Sequence, residues 1–248
     1  MTSLLGKKAL ITGGSAGIGA EVARQLALQG VTIAINFASN ERRAADTISS
    51  LQGSGHALIQ GDAFDKEDIK RFATAAAHQL GGLDIVISNA GWTSFGDFDN
   101  LHSVSDDDWL QCYKSNVLSH LWLMQACQEE IRKTRGCFIV SASVAGVKPS
   151  GSSMAYSVSK SATIHLAKSL AIACAPDIRV NTVAAGVMLT EWSKGFTDAQ
   201  IAAVKRINSL HQVTSIADVA SAYVMLAQNG SMTGQTIEVS SGFRLGRD

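Results

Sequence analysis

The chain has 248 residues, 46% of them hydrophobic, and its 21 lysines and arginines balance 21 aspartates and glutamates. That length suits one α/β domain and is enough to bury a large core. A net charge of zero offers no electrostatic footprint for nucleic acid or an acidic membrane.

Short β-branched runs alternate along the chain with stretches of helical period. KALIT (8–12) predicts a strand, and Ala16 to Gln29 a helix closed by Gly30. VTIAIN (31–36) predicts a strand before a helix from Glu41 to Leu51, and HALIQ (56–60) a strand before a helix from Lys66 to Gln79. LDIVIS (83–88) precedes a long helix from about Asp106 to Lys133, and CFIVSA (137–142) one from Ala155 to Ala173. DIRVNTVAA (177–185) is a sixth strand; a helix from Ile216 to Gln228 and a last strand, QTIEVS (235–240), complete the pattern. Strands alternating with helices imply a doubly wound, seven-stranded parallel sheet with helices on both faces. Without a linker or repeat, 1–248 reads as a single Rossmann-type domain. The irregular stretches 91–105 and 187–210 follow strands and are expected to border a ligand site.

Cys112, Cys127, Cys137 and Cys174 show no metal-binding or disulfide spacing and read as buried free thiols. The start, MTSLLGKKALITGG, leads into a strand rather than reading as a signal peptide, and no apolar run has membrane-helix length. The expectation is a cytoplasmic protein with no membrane and no nucleic-acid partner.

The segment Gly13 to Gly19 poses a choice. G-G-S-A-G fits a serine elbow around Ser15, whereas Gly13, Gly17 and Gly19 fit a turn that cradles a phosphate at a helix N-terminus. The cradle is preferred. Too little chain precedes Ser15 to supply an oxyanion loop, and no histidine stands out as its base. A dinucleotide is then expected, with Ser15 among its contacts. About 20 residues on, where an acidic residue would hold a ribose diol, the chain has Asn36 and Phe37, followed by Ser39, Asn40, Arg42 and Arg43. Hydroxyl, amide and guanidinium groups suit a 2′-phosphate, so NADP(H) is favoured over NAD(H). Arg42 and Arg43 also fit a solvated helix start.

Downstream, AYSVSK places Tyr156 and Lys160 four apart on one helix face, where an ammonium is expected to lower a phenol's pKa and let it exchange a proton with a substrate. Ser143 ends a strand and can hydrogen-bond a carbonyl oxygen beside that tyrosine. Ser141, Ser152, Ser153 and Ser157 read as turn or cap residues.

Together these pieces resemble the short-chain dehydrogenase/reductase family: T-G-G-S-A-G-I-G at Thr12 to Gly19, Asp62, S-N-A-G at Ser88 to Gly91, Asn116, Ser143, and Y-S-V-S-K at Tyr156 to Lys160. The resemblance covers nearly the whole chain. It implies Tyr156 as general acid/base, Ser143 polarising the carbonyl, Lys160 on the nicotinamide ribose, and Asn116 holding a water toward Lys160. It also implies cofactor contacts from Ile18, Asp62, Ala63, Asn89, Ala90, Gly91, Gly186, Val187 and Thr190. It implies pairing of the long helices in a homodimer or homotetramer. The departures are Ser88 for Asn, Ala185 for Pro, Ala16 where NADP users often carry a basic residue, and SSGF after the last strand.

The pocket is expected between Trp92 and Phe95, between Ala145, Val147 and Ser153, and between Met188 and Trp192. This largely apolar border with a few hydroxyls suits a moderately hydrophobic carbonyl or alcohol. A non-redox cofactor-binding protein on the same fold is the rival reading, and a serine hydrolase a weaker one.

Overall fold

The computed structural model describes residues 2–193, 196–243 and 245, without the Trp192 side chain. Seven parallel strands, β1 (Lys8–Ile11), β2 (Thr32–Phe37), β3 (Ala57–Gln60), β4 (Ile85–Ser88), β5 (Cys137–Ser143), β6 (Arg179–Ala185) and β7 (Thr236–Val239), form one sheet in the order β3-β2-β1-β4-β5-β6-β7. The chain runs outward from β1 through β2 to β3, then returns to β1's other side as β4. Leu10 therefore sits beside both Ala34 and Val86. That reversal opens a crevice beyond the carboxyl ends of β1 and β4.

Strand side chains alternate between two cores. Ala9, Ile11, Ile33, Ile35 and Ile139 pack with Val22 and Leu26 of α1 (Gly17–Leu28) and Val219, Tyr223 and Leu226 of α8 (Ile216–Gln228). Leu10, Ala34, Val86, Phe138 and Val140 pack with Phe72 of α3 (Lys66–Leu80), Leu123 of α5 (Ser119–Thr134) and Leu170 of α6 (Met154–Cys174). Because both faces are covered, the strands read as unbroken apolar runs. All four cysteines are free and buried, as expected.

Two elements depart from the sequence reading. The helix predicted over Asp106–Lys133 begins as α4 (Asp106–Tyr113), widens into a π-helical segment at Lys114–Leu118, and resumes as α5. Hydrophobic period does not register a local change in pitch. The stretch read as irregular after Val187 contains α7 (Asp198–Ile207). None of its residues is buried, so it shows no apolar stripe; a capping box between Thr197 and Gln200 closes its N-terminus. The remaining helix, α2, spans Glu41–Ser49. Among the described residues, no helix is long and apolar enough to cross a membrane.

Candidate active site

Two strand-to-helix passages at the sheet's carboxyl edge build the site. The first is the glycine turn between β1 and α1. Gly13 and Gly17 have φ of 62° and 53°, in the left-handed region that glycine tolerates. A Cβ on Gly19 would lie 2.5 Å from the Gly13 carbonyl oxygen and 2.7 Å from Asn89 Nδ2, so the turn closes tightly on itself. Asn89 clips it to the sheet. Its backbone N–H donates to Thr12 Oγ1 at 2.9 Å, and its Nδ2 donates to the Thr12 and Gly13 carbonyls at 3.0 and 3.3 Å. Ser141 Oγ donates to Asn89 Oδ1 and is also 2.7 Å from Tyr223 Oη. Ala90 N–H also donates to Thr12 Oγ1.

Helix α1 starts bare. Its N-cap, Ala16, has no side-chain cap, and no acidic residue occupies its first turn. Free N–H groups and the helix dipole fit a phosphate there. Ile18 packs on the core below. Thr190 faces the turn from the other side, its Cγ2 lying 3.9 Å from where a Gly17 Cβ would be. The Ser15 hydroxyl has no histidine or carboxylate partner among the described residues. It accepts instead from Arg43 Nη2 at 3.5 Å, which removes the hydrolase geometry.

The ribose end corrects several expectations. Asn36 is buried, and its Nδ2 donates to the Ile59 and Gly61 carbonyls, joining β2 to β3. Phe37 is buried too, so neither side chain stands open to a ribose. An open depression of about 530 Å³ is lined instead by Ala38, Ser39, Asp62, Phe64 and Arg71 among others. The Asp62 carboxylate accepts from Phe64 N–H, and Asn40 caps α2 by accepting from Arg43 N–H at 2.9 Å. Ala63 lies partly exposed between Asp62 and Phe64. Arg43, not Arg42, reaches the glycine turn; Arg42 makes no hydrogen bond or ion pair among the described residues. Adjacent helix positions point about 100° apart, and sequence alone could not choose between them. The residues present thus fit a dinucleotide: a glycine cradle, a bare helix start and one guanidinium beside it.

The second passage runs from β5 to α6. A Cβ on Gly146 would lie 2.5 Å from the Lys160 carbonyl, so this glycine lets the turn after β5 lie directly on α6. Ser157 Oγ donates to the Ala145 carbonyl at 2.6 Å and fixes the same contact. Ser143 is thereby brought beside Tyr156, and their side chains share a hydrogen bond. Ser143 Oγ also accepts from Ala145 N–H at 3.2 Å. Lys160 is 3% exposed; its Nζ donates to the Ser141 carbonyl at 2.9 Å and lies 5.7 Å from the Tyr156 ring centroid. Asn116 sits in the π-helical segment, a feature often found at functional sites. Its Oδ1 accepts from Trp92 N–H, and its Nδ2 donates to the Trp92 carbonyl and Ser159 Oγ. Thr163 Oγ1 donates to the Asn116 carbonyl at 2.5 Å. A Gly91 Cβ would lie 3.0 Å from Asn116 Oδ1 and 3.4 Å from Lys160 Nζ, so Asn116 and Lys160 converge there.

Burial pushes the half-buried Tyr156 phenol up to about 12, outweighing the lowering contributed by Ser143, and pushes the Lys160 ammonium down to about 8. The phenol is raised, not lowered as the four-residue spacing predicted. The cost of a charged phenolate in this enclosed place exceeds what its partners return.

The pocket border is mixed. Phe95 and Val147 are exposed, at 69% and 40%, and Trp92 is half-buried. Ser153 is fully buried as the cap of α6, its Oγ accepting from Tyr156 N–H, and is closed to a substrate. Ala145 is also buried, and Met188 packs against the core. The Trp192 side chain lies outside the described residues. Gly186 is buried where β6 ends, its N–H bonded to the Val239 carbonyl, while the Val187 carbonyl accepts from Thr214 N–H. Sequence reasoning passed over Gly146, Ser159 and Thr163. The two hydroxyls lie at the three- and seven-residue spacing from Tyr156 that marks one helix face.

A sequence-family profile described as Enoyl-(Acyl carrier protein) reductase matches residues 13–244. The chain belongs to the short-chain dehydrogenase/reductase family, a family of oxidoreductases. It is 30% identical to glucose 1-dehydrogenase of Gluconobacter oxydans, over 97% of this chain and 92% of that one. It is 29% identical to a 3-oxoacyl-(acyl-carrier-protein) reductase of Staphylococcus aureus, over 95% and 97%. A solved Pseudomonas aeruginosa RhlG/NADP active-site complex superimposes with a TM-score of 0.90 at 29% identity, covering 98% of each chain.

Proposed function

We propose that this short-chain dehydrogenase/reductase transfers a hydride between NADP(H) and a moderately hydrophobic carbonyl/alcohol pair, with Tyr156 as general acid/base. The carrying observation is the convergence of Ser143, Tyr156, Lys160 and Asn116 at one strand edge. Bound NADP(H) supplies the hydride; this chain's residues supply and place the proton. Ser143 Oγ, which accepts from Ala145 N–H and shares a hydrogen bond with the Tyr156 side chain, can turn its own proton toward a carbonyl oxygen placed beside both. The raised phenol is fully protonated at neutral pH, the form that carbonyl reduction requires. As Tyr156 gives its proton to the forming alcohol, the Lys160 ammonium below stabilises the phenolate left behind.

Support for NADP(H) comes from Arg43 beside the glycine turn and from the NADP complex of RhlG. The exposed Leu110, Tyr113, Val158 and Ile172 on α4 and α6 support a homodimer or homotetramer. The test compares NADPH and NADH binding at one ionic strength. NADPH should bind at least about tenfold tighter, or roughly 1.4 kcal/mol. Arg43→Ala should remove most of that margin while leaving NADH affinity in place, and Arg42→Ala should leave both in place. Equal affinities in the parent protein would point to NAD-dependent alcohol oxidation, and binding of neither would remove the enzyme reading.

A further inference from the structure

Behind Lys160 lies a buried polar pair that the proposed chemistry does not use. Ser88 ends β4, and His120 stands on the first turn of α5, one helical turn past Asn116. They are 2% and 1% exposed. Ser88 Oγ and His120 Nδ1 form a 2.6 Å hydrogen bond. The other ring nitrogen, Nε2, is buried and has no hydrogen-bond partner among the described residues. A buried ring nitrogen left in this condition requires an explanation, since apolar side chains of similar size would fill the space without the penalty.

Lys160 of α6 reaches the same place: its Nζ donates to the Ser141 carbonyl, next to Val140, the β5 partner of Ser88, and Thr163 of α6 bonds the Asn116 carbonyl one helical turn before His120. Burial together with that ammonium keeps the imidazole neutral, its pKa pushed down to about 3. From β4 comes the neutral Ser88. From α4 comes the buried Cys112, which burial keeps as a thiol. His120 is therefore a neutral dipole next to a buried cation. With Nδ1 taken by Ser88, Nε2 is the nitrogen left to interact with the rest of the site. A neighbouring cation favours the tautomer that turns a lone pair toward it.

We propose that His120 is a positioning residue for Lys160: Ser88 Oγ accepts the Nδ1 proton, and the bare Nε2 offers its lone pair to the lysine ammonium through one buried water. No bond forms or breaks. The pair holds Lys160 in its charged form without placing a second cation beneath Tyr156. Ser88, standing where family members carry asparagine, and His120 are then one feature: a short hydroxyl that orients a ring. The inference rests on the role given to Lys160 above, but its test needs no turnover.

Ring-nitrogen NMR of histidine in the intact, cofactor-free protein reads the tautomer directly. A proton on Nδ1 and a bare Nε2 are expected; a protonated Nε2 overturns the proposal without any variant. Side-chain carbon NMR of lysine then follows the Lys160 titration. In His120→Phe the midpoint should fall by about half a pH unit or more, and in His120→Gln it should largely recover. An unchanged midpoint in folded His120→Phe overturns the proposal. If that variant does not fold, Ser88→Ala frees the ring and should lower the midpoint in the same direction; no shift there overturns it equally. A shifted midpoint in a protein that binds neither NADPH nor NADH removes the functional reading and leaves this positioning intact.

Discussion

The passages from β1 to α1 and from β5 to α6 leave the sheet at the same edge, yet they treat their helix N-termini in opposite ways. At α1 the cap is Ala16, without a side-chain hydrogen bond, and the turn before it is built from glycines. At α6 the cap is Ser153, fully buried and bonded to Tyr156 N–H, and the turn before it is fastened by Ser157 and by the close approach of Gly146. Helices α2, α3, α4, α7 and α8 are side-chain capped like α6. The bare start leaves N–H groups for an external anion. The satisfied start instead fixes a side chain, and the proton-donor role proposed for Tyr156 calls for such rigid placement.

The comparison is broken most severely by Tyr156→Phe. It removes one hydroxyl from the fastened passage and nothing from the open one. Turnover should fall about a thousandfold, within the range for loss of a general acid, while NADPH affinity stays unchanged. A variant that keeps turnover would place the proton donor elsewhere. Next in size is Gly19→Ala in the open passage. Its new methyl meets a backbone oxygen and the Asn89 amide, neither of which can swing aside. A destabilisation of about 3 kcal/mol is expected from overpacking of this kind, read as a lower midpoint in urea, with weaker NADPH binding. An unperturbed midpoint would mean that the turn is looser than its geometry indicates.

The fastened passage also carries a pH signature. Folding takes Lys160 from an ordinary value of 10.5 to about 8, chiefly by burial. Between those values the unfolded chain binds more protons than the folded one, so this lysine's contribution makes stability rise with pH across that window. The cost of burying the ammonium is fully present below pH 8 and gone above 10.5. Lys160→Met should therefore gain most over the parent protein below pH 8, with the gain shrinking as pH climbs toward 10.5. A pH-independent difference between the two unfolding curves would show that Lys160 titrates normally.

Both passages show in the sequence as motifs, though not as built sites. Gly13, Gly17 and Gly19 lie within seven residues, and Tyr156 and Lys160 are one helical turn apart, so local spacing exposes both motifs. That the strands run parallel also follows from the alternating pattern, because each crossover helix returns the chain to the same end of the sheet. What stayed hidden depends on contacts across the fold. Ser88 meets His120 from 32 residues away, and Ser141 meets Tyr223 from 82. Arg43 rather than Arg42 faces the turn because of helix phase. Ser153 looked like both a cap and a pocket residue until its burial decided the matter. The direction of the Tyr156 shift was misjudged because a neighbouring lysine is visible in sequence and burial is not.

The smallest expected effect separates capping as stability from capping as placement. Ser153 and Ser105 each accept from a backbone N–H three residues on, both at 3.2 Å, at the starts of α6 and α4. Replacing either by alanine should cost about 1 kcal/mol, the usual value of such a cap, and should lower the urea midpoint by a similar amount. Their consequences for chemistry should differ. The N–H that loses its partner in Ser153→Ala belongs to Tyr156 itself, so the first turn of α6 loosens around the phenol. In Ser105→Ala the freed N–H belongs to Asp108, almost two turns before the π-helical segment that holds Asn116. Turnover should therefore fall more in Ser153→Ala than in Ser105→Ala at matched stability, with NADPH affinity unchanged in both. Equal turnover in the two variants would mean that the buried cap supports α6 only as a helix, and that Gly146 and Ser157 suffice to place Tyr156 against Ser143.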